Sequence, residues 1–173
     1  MQRVKAASAV CSVAAIIALV ISNHGDEIRT PRAALEIIGN AEGCRRDPYM
    51  CPAGVPTDGV GNTRNVAAGK SLEQIAADWA GNIREAERCV DRHFNGQAMP
   101  LPAFGAMVSM VFNHGCQKQG WNRDGSSTMI RKMALAGKWR SMCDQIPRWN
   151  SGGKWPGIIK RRAKEHQLCL SGL

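Results

Sequence analysis

Between Ala6 and Ser22 the chain runs for seventeen residues without a charge, and that run decides in which compartment the rest must fold. Arg3 and Lys5 stand before it, Asp26 and Glu27 after it. As a helix such a run spans about 26 Å, just short of the ~30 Å hydrocarbon core of a bilayer. Its composition is lukewarm: six Ala, three Ser, one Cys and seven strongly apolar residues, Val10, Val13, Ile16, Ile17, Leu19, Val20 and Ile21. At about 0.3–0.6 kcal/mol for each strong residue, insertion gains only roughly 2–4 kcal/mol before the serines subtract from it. Cations ahead of the run keep the N-terminus in the cytoplasm and send the remainder outward. A cleaved signal peptide is the competing reading, but Ile21-Ser22-Asn23-His24 lacks the small-x-small pattern of a cleavage site. Residues 1–25 therefore read as an uncleaved, weakly held signal-anchor and 26–173 as one exported domain. Under either reading the domain meets an oxidising compartment, where disulfides persist.

The chain has 173 residues, enough for one domain with a short appendage. It holds seven cysteines, many for a reduced cytosolic protein and odd in number, so one thiol is left over from any complete pairing. Hydrophobic residues at 44% against 21% charged provide a core and exclude wholesale disorder. No repeat period is present, which removes solenoids and propellers. The net charge of +9 predicts a polyanionic partner (nucleic acid, anionic lipid or acidic wall polymer), with simple solubility as the bland alternative.

The body reads as mostly helical with one irregular insert. Thr30-Pro31 looks like an N-cap with Pro at the first helical position, followed by apolar Ala34, Leu35, Ile37 and Ile38 and a stop near Gly43. From Cys44 to Thr63 the helical period vanishes; Pro48, Pro52, Gly54, Pro56, Gly59 and Gly61 punctuate short extended pieces, as in a small twisted sheet. Ser71 and Gln74 form a capping box that opens a long amphipathic helix through Leu72, Ile75, Ala76, Trp79, Ile83, Ala86, Val90 and Phe94. Further helices are expected over about 101–115, 126–136, 138–146 and 157–168. A small sheet among helices is an α+β arrangement with a cleft between two lobes. Trp79, Trp121, Trp139, Trp149 and Trp155 read first as core or rim packing.

Chemistry concentrates in the insert. Glu42 falls at the C-terminal end of the first body helix, where the negative end of the dipole and partial burial favour its neutral form. A carboxylic acid held protonated near neutral pH can donate to a glycosidic oxygen, and inverting glycosidases need a second group across the cleft to hold a water. Cys51 and Thr57, on the insert facing that helix, are candidates for it. From the residues alone, Glu42 reads first as a solvated helix-end acid.

Glu42, eight residues, Cys51, five residues, Thr57 resembles the Glu–Asp/Cys–Thr spacing of phage lysozymes in glycoside hydrolase family 24. Thr57-Asp58-Gly59-Val60-Gly61-Asn62-Thr63 is similar to that family's threonine–glycine turn, Met110-Val111-Phe112-Asn113-His114-Gly115 to its helix-end segment, and Trp139 and the basic Lys160-Arg161-Arg162 follow. With the N-terminal run, the whole chain resembles the signal-anchor-release endolysins of tailed coliphages. The resemblance implies a lysozyme-like α+β fold, preceded by the signal-anchor helix. It implies a muramidase that hydrolyses the β-1,4 bond between N-acetylmuramic acid and N-acetylglucosamine in peptidoglycan and lyses the host. Glu42 would be the general acid and Thr57 would position the attacking water. Cys51 stands where many relatives carry Asp; Arg45 and Arg46 nearby would lower its pKa from about 8.5 toward a useful thiolate. Whether it is a base or a water-orienting group stays open, with Asp47 and Asp58 as fallback carboxylates.

The resemblance also orders the cysteines. A lysozyme-like helical lobe brings together Cys89 with Cys116 and Cys143 with Cys169, one of three pairings open to four thiols. Cys11, Cys44 and Cys51 remain. While the anchor lies in lipid, Cys11 is hidden, and Cys44–Cys51 can form and occupy the catalytic sulfur. On release Cys11 attacks Cys44 and returns Cys51 as a thiol. The alternative is that Cys11 is only a small apolar filler.

His24, His93, His114 and His166 have no metal-ligand spacing and no Cys-x-x-Cys occurs, so neither metal nor cofactor is expected. The expected partners are peptidoglycan and, before release, the host inner membrane through residues 6–22. The catalytic part is then periplasmic and later soluble there, a monomer without nucleic acid. A lytic transglycosylase and a non-catalytic, membrane-tethered wall-binding module are the rival functions. A nucleic-acid-binding module fits the charge but not the export signal.

Overall fold

The computed structural model describes residues 11–51 and 54–173. Arg3, Lys5, the first part of the 6–22 run and Pro52 lie outside the described residues. The anchor segment continues as helix α1 (Val13–His24), followed by α2 (Arg32–Glu42), strands β1 (Arg45–Met50) and β2 (Pro56–Gly59), and α3 (Leu72–His93). Then come α4 (Leu101–His114), α5 (Cys116–Gly120), α6 (Met129–Leu135), α7 (Trp139–Cys143) and α8 (Pro156–Leu170). This is the expected α+β order, mostly helical with one two-stranded antiparallel hairpin.

Helix α3 is the spine. Ser71 accepts from the Gln74 backbone N–H while Gln74 Oε1 accepts from the Ser71 N–H, the reciprocal cap that the sequence predicts. Its apolar stripe is buried from Ile75 through Trp79, Ile83 and Val90, with Phe94 just beyond its end. Helix α4 carries a run of nine consecutive buried residues, Ala103 to Val111, as a central helix should, and packs on α2, α3 and α8. Helix α1 packs on α2 and α3 and contributes Ile16, Ile17 and Val20 to the same core. Gly39 permits that approach: a Cβ there would stand 2.6 Å from Val13 Cγ1 and 3.3 Å from Trp79. Among the described residues no helix is long and apolar enough to cross a membrane.

The start of α2 departs from expectation. Pro31, not Thr30, holds the cap position, with its carbonyl accepting from the Ala34 and Leu35 N–H groups. Thr30 is drawn away by Glu87 of α3, whose Oε1 accepts from the Thr30 hydroxyl (2.6 Å), the Thr30 N–H (2.6 Å) and the Arg29 N–H (2.8 Å). A carboxylate with three donors outcompetes a local cap.

Three disulfides are present: Cys11–Cys44, Cys89–Cys116 and Cys143–Cys169. The first ties the chain just ahead of α1 to the start of the hairpin, the second α3 to α5, the third α7 to α8.

Candidate active site

Helix α2 ends because Gly43 takes a φ of +72°, a conformation L side chains avoid, and Gly43 N–H closes on Gly39 O at 2.8 Å. Glu42 is thus the last helical residue, beside the foot of the hairpin. The turn after β2 is set by Asp58, fully buried, whose carboxylate accepts from Asn62 Nδ2 (2.7 Å), Ala67 N–H (2.9 Å) and Lys70 Nζ (2.7 Å). Burial opposes that charge, but the three donors outweigh it and hold the carboxyl below the ordinary carboxylate range. Asp58 is therefore the structural pin of the turn. Asp47 is exposed on β1. The pinned turn delivers Gly61, at φ +65°, against Glu42: a Cβ there would lie 3.1 Å from Glu42 Oε2.

The far end of the hairpin carries the other two candidates. Tyr49 pairs with Thr57 and Met50 with Pro56, after an irregularity in which β1 uses four residue steps against two on β2. The Val55 carbonyl accepts from both the Cys51 N–H (3.0 Å) and the Thr57 hydroxyl (2.9 Å), so one oxygen fixes the two residues relative to each other. Thr57 is buried and Cys51 half-buried. Arg45 lies over the Tyr49 ring at 4.5 Å, and Arg46 donates to the Lys70 carbonyl at 2.8 Å.

What the sequence reading missed is the cation opposite Glu42. Arg161 of α8, 5% exposed, donates from Nη1 to Glu42 Oε1 at 2.8 Å. Its Nε donates to Glu165 Oε1 (3.1 Å) and its Nη2 to the Ser109 carbonyl (3.2 Å); Ser109 Oγ also donates to Glu165 Oε1 (2.5 Å). Arg162 pairs with Glu165 Oε2 at 2.6 Å and donates to Asn113 Oδ1. Both guanidiniums face Glu165, which is fully buried: burial raises its carboxyl above the ordinary range, against the pull of Arg162 and Arg161. The helix-end dipole argument for Glu42 thus meets an ion pair that no local pattern reported. Arg161 and Arg162 with Glu165 at helical spacing were the available signal.

A cleft of about 700 Å³ opens beside this pair, lined by Ile37, Asn40, Glu42, Asn113, Trp155 and Arg161 among others. Cys51 and Thr57 do not line it; the structure sets them on the hairpin whose foot meets Glu42. A smaller hollow of about 210 Å³ is lined by Gly61, Thr63, Asn82 and Phe112 among others. Among the described residues no group of His, Cys, Asp and Glu side chains is arranged to hold a metal.

The phage lysozyme family model matches residues 39–165, from the end of α2 to the buried Glu165. The chain belongs to the phage lysozyme family. It is 49% identical to the SAR-endolysin of Escherichia phage P1 over 95% of this chain and 93% of that protein. The active form of P1 phage endolysin Lyz, a crystal structure, superposes with a TM-score of 0.87 at 48% identity, covering 96% of this chain and 97% of that one. The secreted inactive form of the same endolysin gives 0.60 at 50% identity, covering 83% and 96%. Identity hardly differs between the two, so the gap is one of conformation and of the residues that align. The lysozyme-like fold and the enzyme class expected from the sequence are borne out: this is a glycoside hydrolase, a muramidase endolysin acting on peptidoglycan.

Proposed function

We propose that this exported lysozyme cleaves its substrate with Glu42 as general acid, Thr57 as the residue that positions the attacking water, and Cys51 as the third member of the site. The observation that carries the reading is the position of Glu42. It ends a helix at the wall of the large cleft, clamped between Arg161 and the Gly61 turn. The shared Val55 carbonyl supports a concerted role for Cys51 and Thr57, because it fixes their separation. As the glycosidic bond breaks, a proton passes from the Glu42 carboxyl to the leaving oxygen; the water that adds at the anomeric carbon loses a proton to solvent, and Glu42 is reprotonated from solvent for the next turnover. Arg161 then meets the carboxylate that is left.

Residues 1–25 form the releasable signal-anchor and 26–173 the catalytic domain. Before release the protein is a monomer, held in the host inner membrane through residues 6–22 with its N-terminus cytoplasmic. A Cys44–Cys51 bond in that state blocks the catalytic sulfur. After release the Cys11 thiolate attacks Cys44 of that disulfide; a Cys11–Cys44 bond forms, the Cys44–Cys51 bond breaks, and Cys51 takes up the proton that Cys11 lost. The Cys11–Cys44 bond and the likeness to an active-form structure support this sequence of events.

Mass spectrometry of digested walls tests the reaction. Hydrolysis leaves reducing muramic ends; 1,6-anhydro ends in their place would make the enzyme a transglycosylase.

A further inference from the structure

Glu165 of α8 is fully buried one helical turn beyond Arg161, and the reaction as described gives it no task. Its neighbours are donors. Ser109 Oγ of α4 and Arg161 Nε donate to Oε1, at 2.5 and 3.1 Å, and Arg162 Nη1 stands 2.6 Å from Oε2. Donors of this kind suit an ionised carboxyl, while burial pushes it above the ordinary range. The guanidinium of Arg161 is committed on every nitrogen. Nε is on Glu165, Nη2 is on the Ser109 carbonyl at 3.2 Å, and Nη1 is left for Glu42 at 2.8 Å. Because a guanidinium is planar, the two bonds on its buried side fix the direction of the third. Glu42 therefore meets one nitrogen, at Oε1, while its Oε2 lies against Gly61. A guanidinium without those anchors grips a carboxylate with two nitrogens. The remaining charges stand further out. Lys160 and Lys164 line the cleft with Glu42, and Glu36 of α2 is paired with Arg32. From α4 come Asn113, which accepts from Arg162, and His114, which burial favours as the neutral ring. Asp144, at the end of α7, pairs with His166 at 3.2 Å, and Arg148 is exposed.

We propose that Glu165 is a positioning residue for the proton donor: through Arg161 it limits the positive charge that Glu42 meets, so that Glu42 keeps its proton until the leaving oxygen takes it. The inference rests on the reading of Glu42 as general acid and deepens it. An acid beside an uncompensated arginine works against itself, since the cation favours the carboxylate. Glu165 removes that conflict in two ways. Its charge offsets that of Arg161, and its bond to Nε denies Glu42 a second nitrogen. The carboxylate that forms when the proton leaves is still met, because Nη1 already stands at Oε1. Ser109 serves Glu165 in turn, its hydroxyl favouring the ionised carboxyl against burial.

The pH dependence of kcat/KM on soluble wall strands tests this, with the full-length enzyme and its disulfides intact. Loss of the acid's proton sets the descending, high-pH limb. In Glu165→Gln a buried negative charge is gone and Arg161 can turn two nitrogens to Glu42. The limb is expected to move about one pH unit toward acid. Above both midpoints the loss is then about tenfold, carried by kcat with KM little changed. On the acid side of the shifted limb the rate returns close to that of wild type. Arg161→Gln moves the limb the other way, and adding Glu165→Gln to it moves the limb no further, because Glu165 acts through Arg161. An unmoved limb in folded Glu165→Gln, a rate lowered by one factor at every pH, or a shift that persists in the Arg161→Gln background would overturn the proposal. Ser109→Ala, milder for folding, moves the limb in the same direction by about half as much. Where Glu165→Gln fails to fold, as near-UV circular dichroism shows, an unmoved limb in Ser109→Ala overturns the proposal instead. Glu42→Gln tests the underlying reading separately. Turnover surviving there sinks the acid assignment; a silent Glu42→Gln beside an unmoved limb sinks the role of Glu165 alone.

Discussion

Glu42 and Asp58 are both carboxylates of one active-site stretch, and their surroundings give them different tasks. Asp58 is enclosed by donors and locks the turn; Glu42 has one oxygen on Arg161 and borders open cleft. His114, half-buried at the end of α4, shows how the same packing sets a pH limit. Burial, then the neighbouring Arg162 charge, depress its pKa to about 4, against the bond that Nδ1 makes to Gln119 Oε1 at 3.1 Å. The fold favours the neutral ring, so the unfolded chain binds more protons as pH falls below 6.5. This contribution is complete above pH 6.5 and is lost as pH drops toward about 4. Urea midpoints of wild type and His114→Gln should converge across that window; parallel curves would contradict the assignment. At this scale the sequence pointed to Glu42, Cys51 and Thr57 only through the resemblance of their spacing to the phage lysozyme motif. It could not carry Arg161, 119 positions from Glu42, because an arginine in a basic helix looks the same whether it faces solvent or a carboxylate.

At the scale of elements, local chemistry was legible wherever a local bond decides the outcome. The Ser71–Gln74 box and the Gly43 stop lie where the sequence predicts them, because cap and positive φ are properties of a few adjacent residues. The cap at Thr30 failed for the complementary reason: Glu87, 57 positions away, takes its hydroxyl. The docking of α1 on α2 was likewise invisible, since an apolar run suits a bilayer and a protein core equally. Gly39 is the steric condition for that docking. Gly39→Ala sets a methyl against Val13 and Trp79, and overpacking of this kind costs about 1–3 kcal/mol. Faster proteolysis within residues 11–24 than within α3 is the expected signature; uniform protection equal to wild type would show that α1 docks without needing the glycine.

At the scale of the molecule, the segment that reads as an anchor and the segment that completes the core are the same residues. Ile16, Ile17 and Val20 are buried here, and each such side chain contributes about 1.5–3 kcal/mol when fully removed from water. In the proposed release, this packing compensates for leaving a weakly gained bilayer, and the Cys11–Cys44 bond fastens the docked state. Cys11→Ser should give an enzyme that is released but inactive on walls, while Cys44→Ser should be active even before release. Full lysis by released Cys11→Ser would refute the exchange. The net charge of +9 suits an anionic wall, as the lone composition figure suggested, though charge by itself could not distinguish wall from nucleic acid.

The most direct test of the whole account is the rate at which full-length, oxidised Glu42→Gln clears purified peptidoglycan, measured beside its thermal midpoint. The substitution keeps the shape of the side chain and removes the transferable proton. The account predicts a fall of about a thousandfold with the fold intact. Clearing at more than a tenth of the wild-type rate would mean that another group supplies the proton.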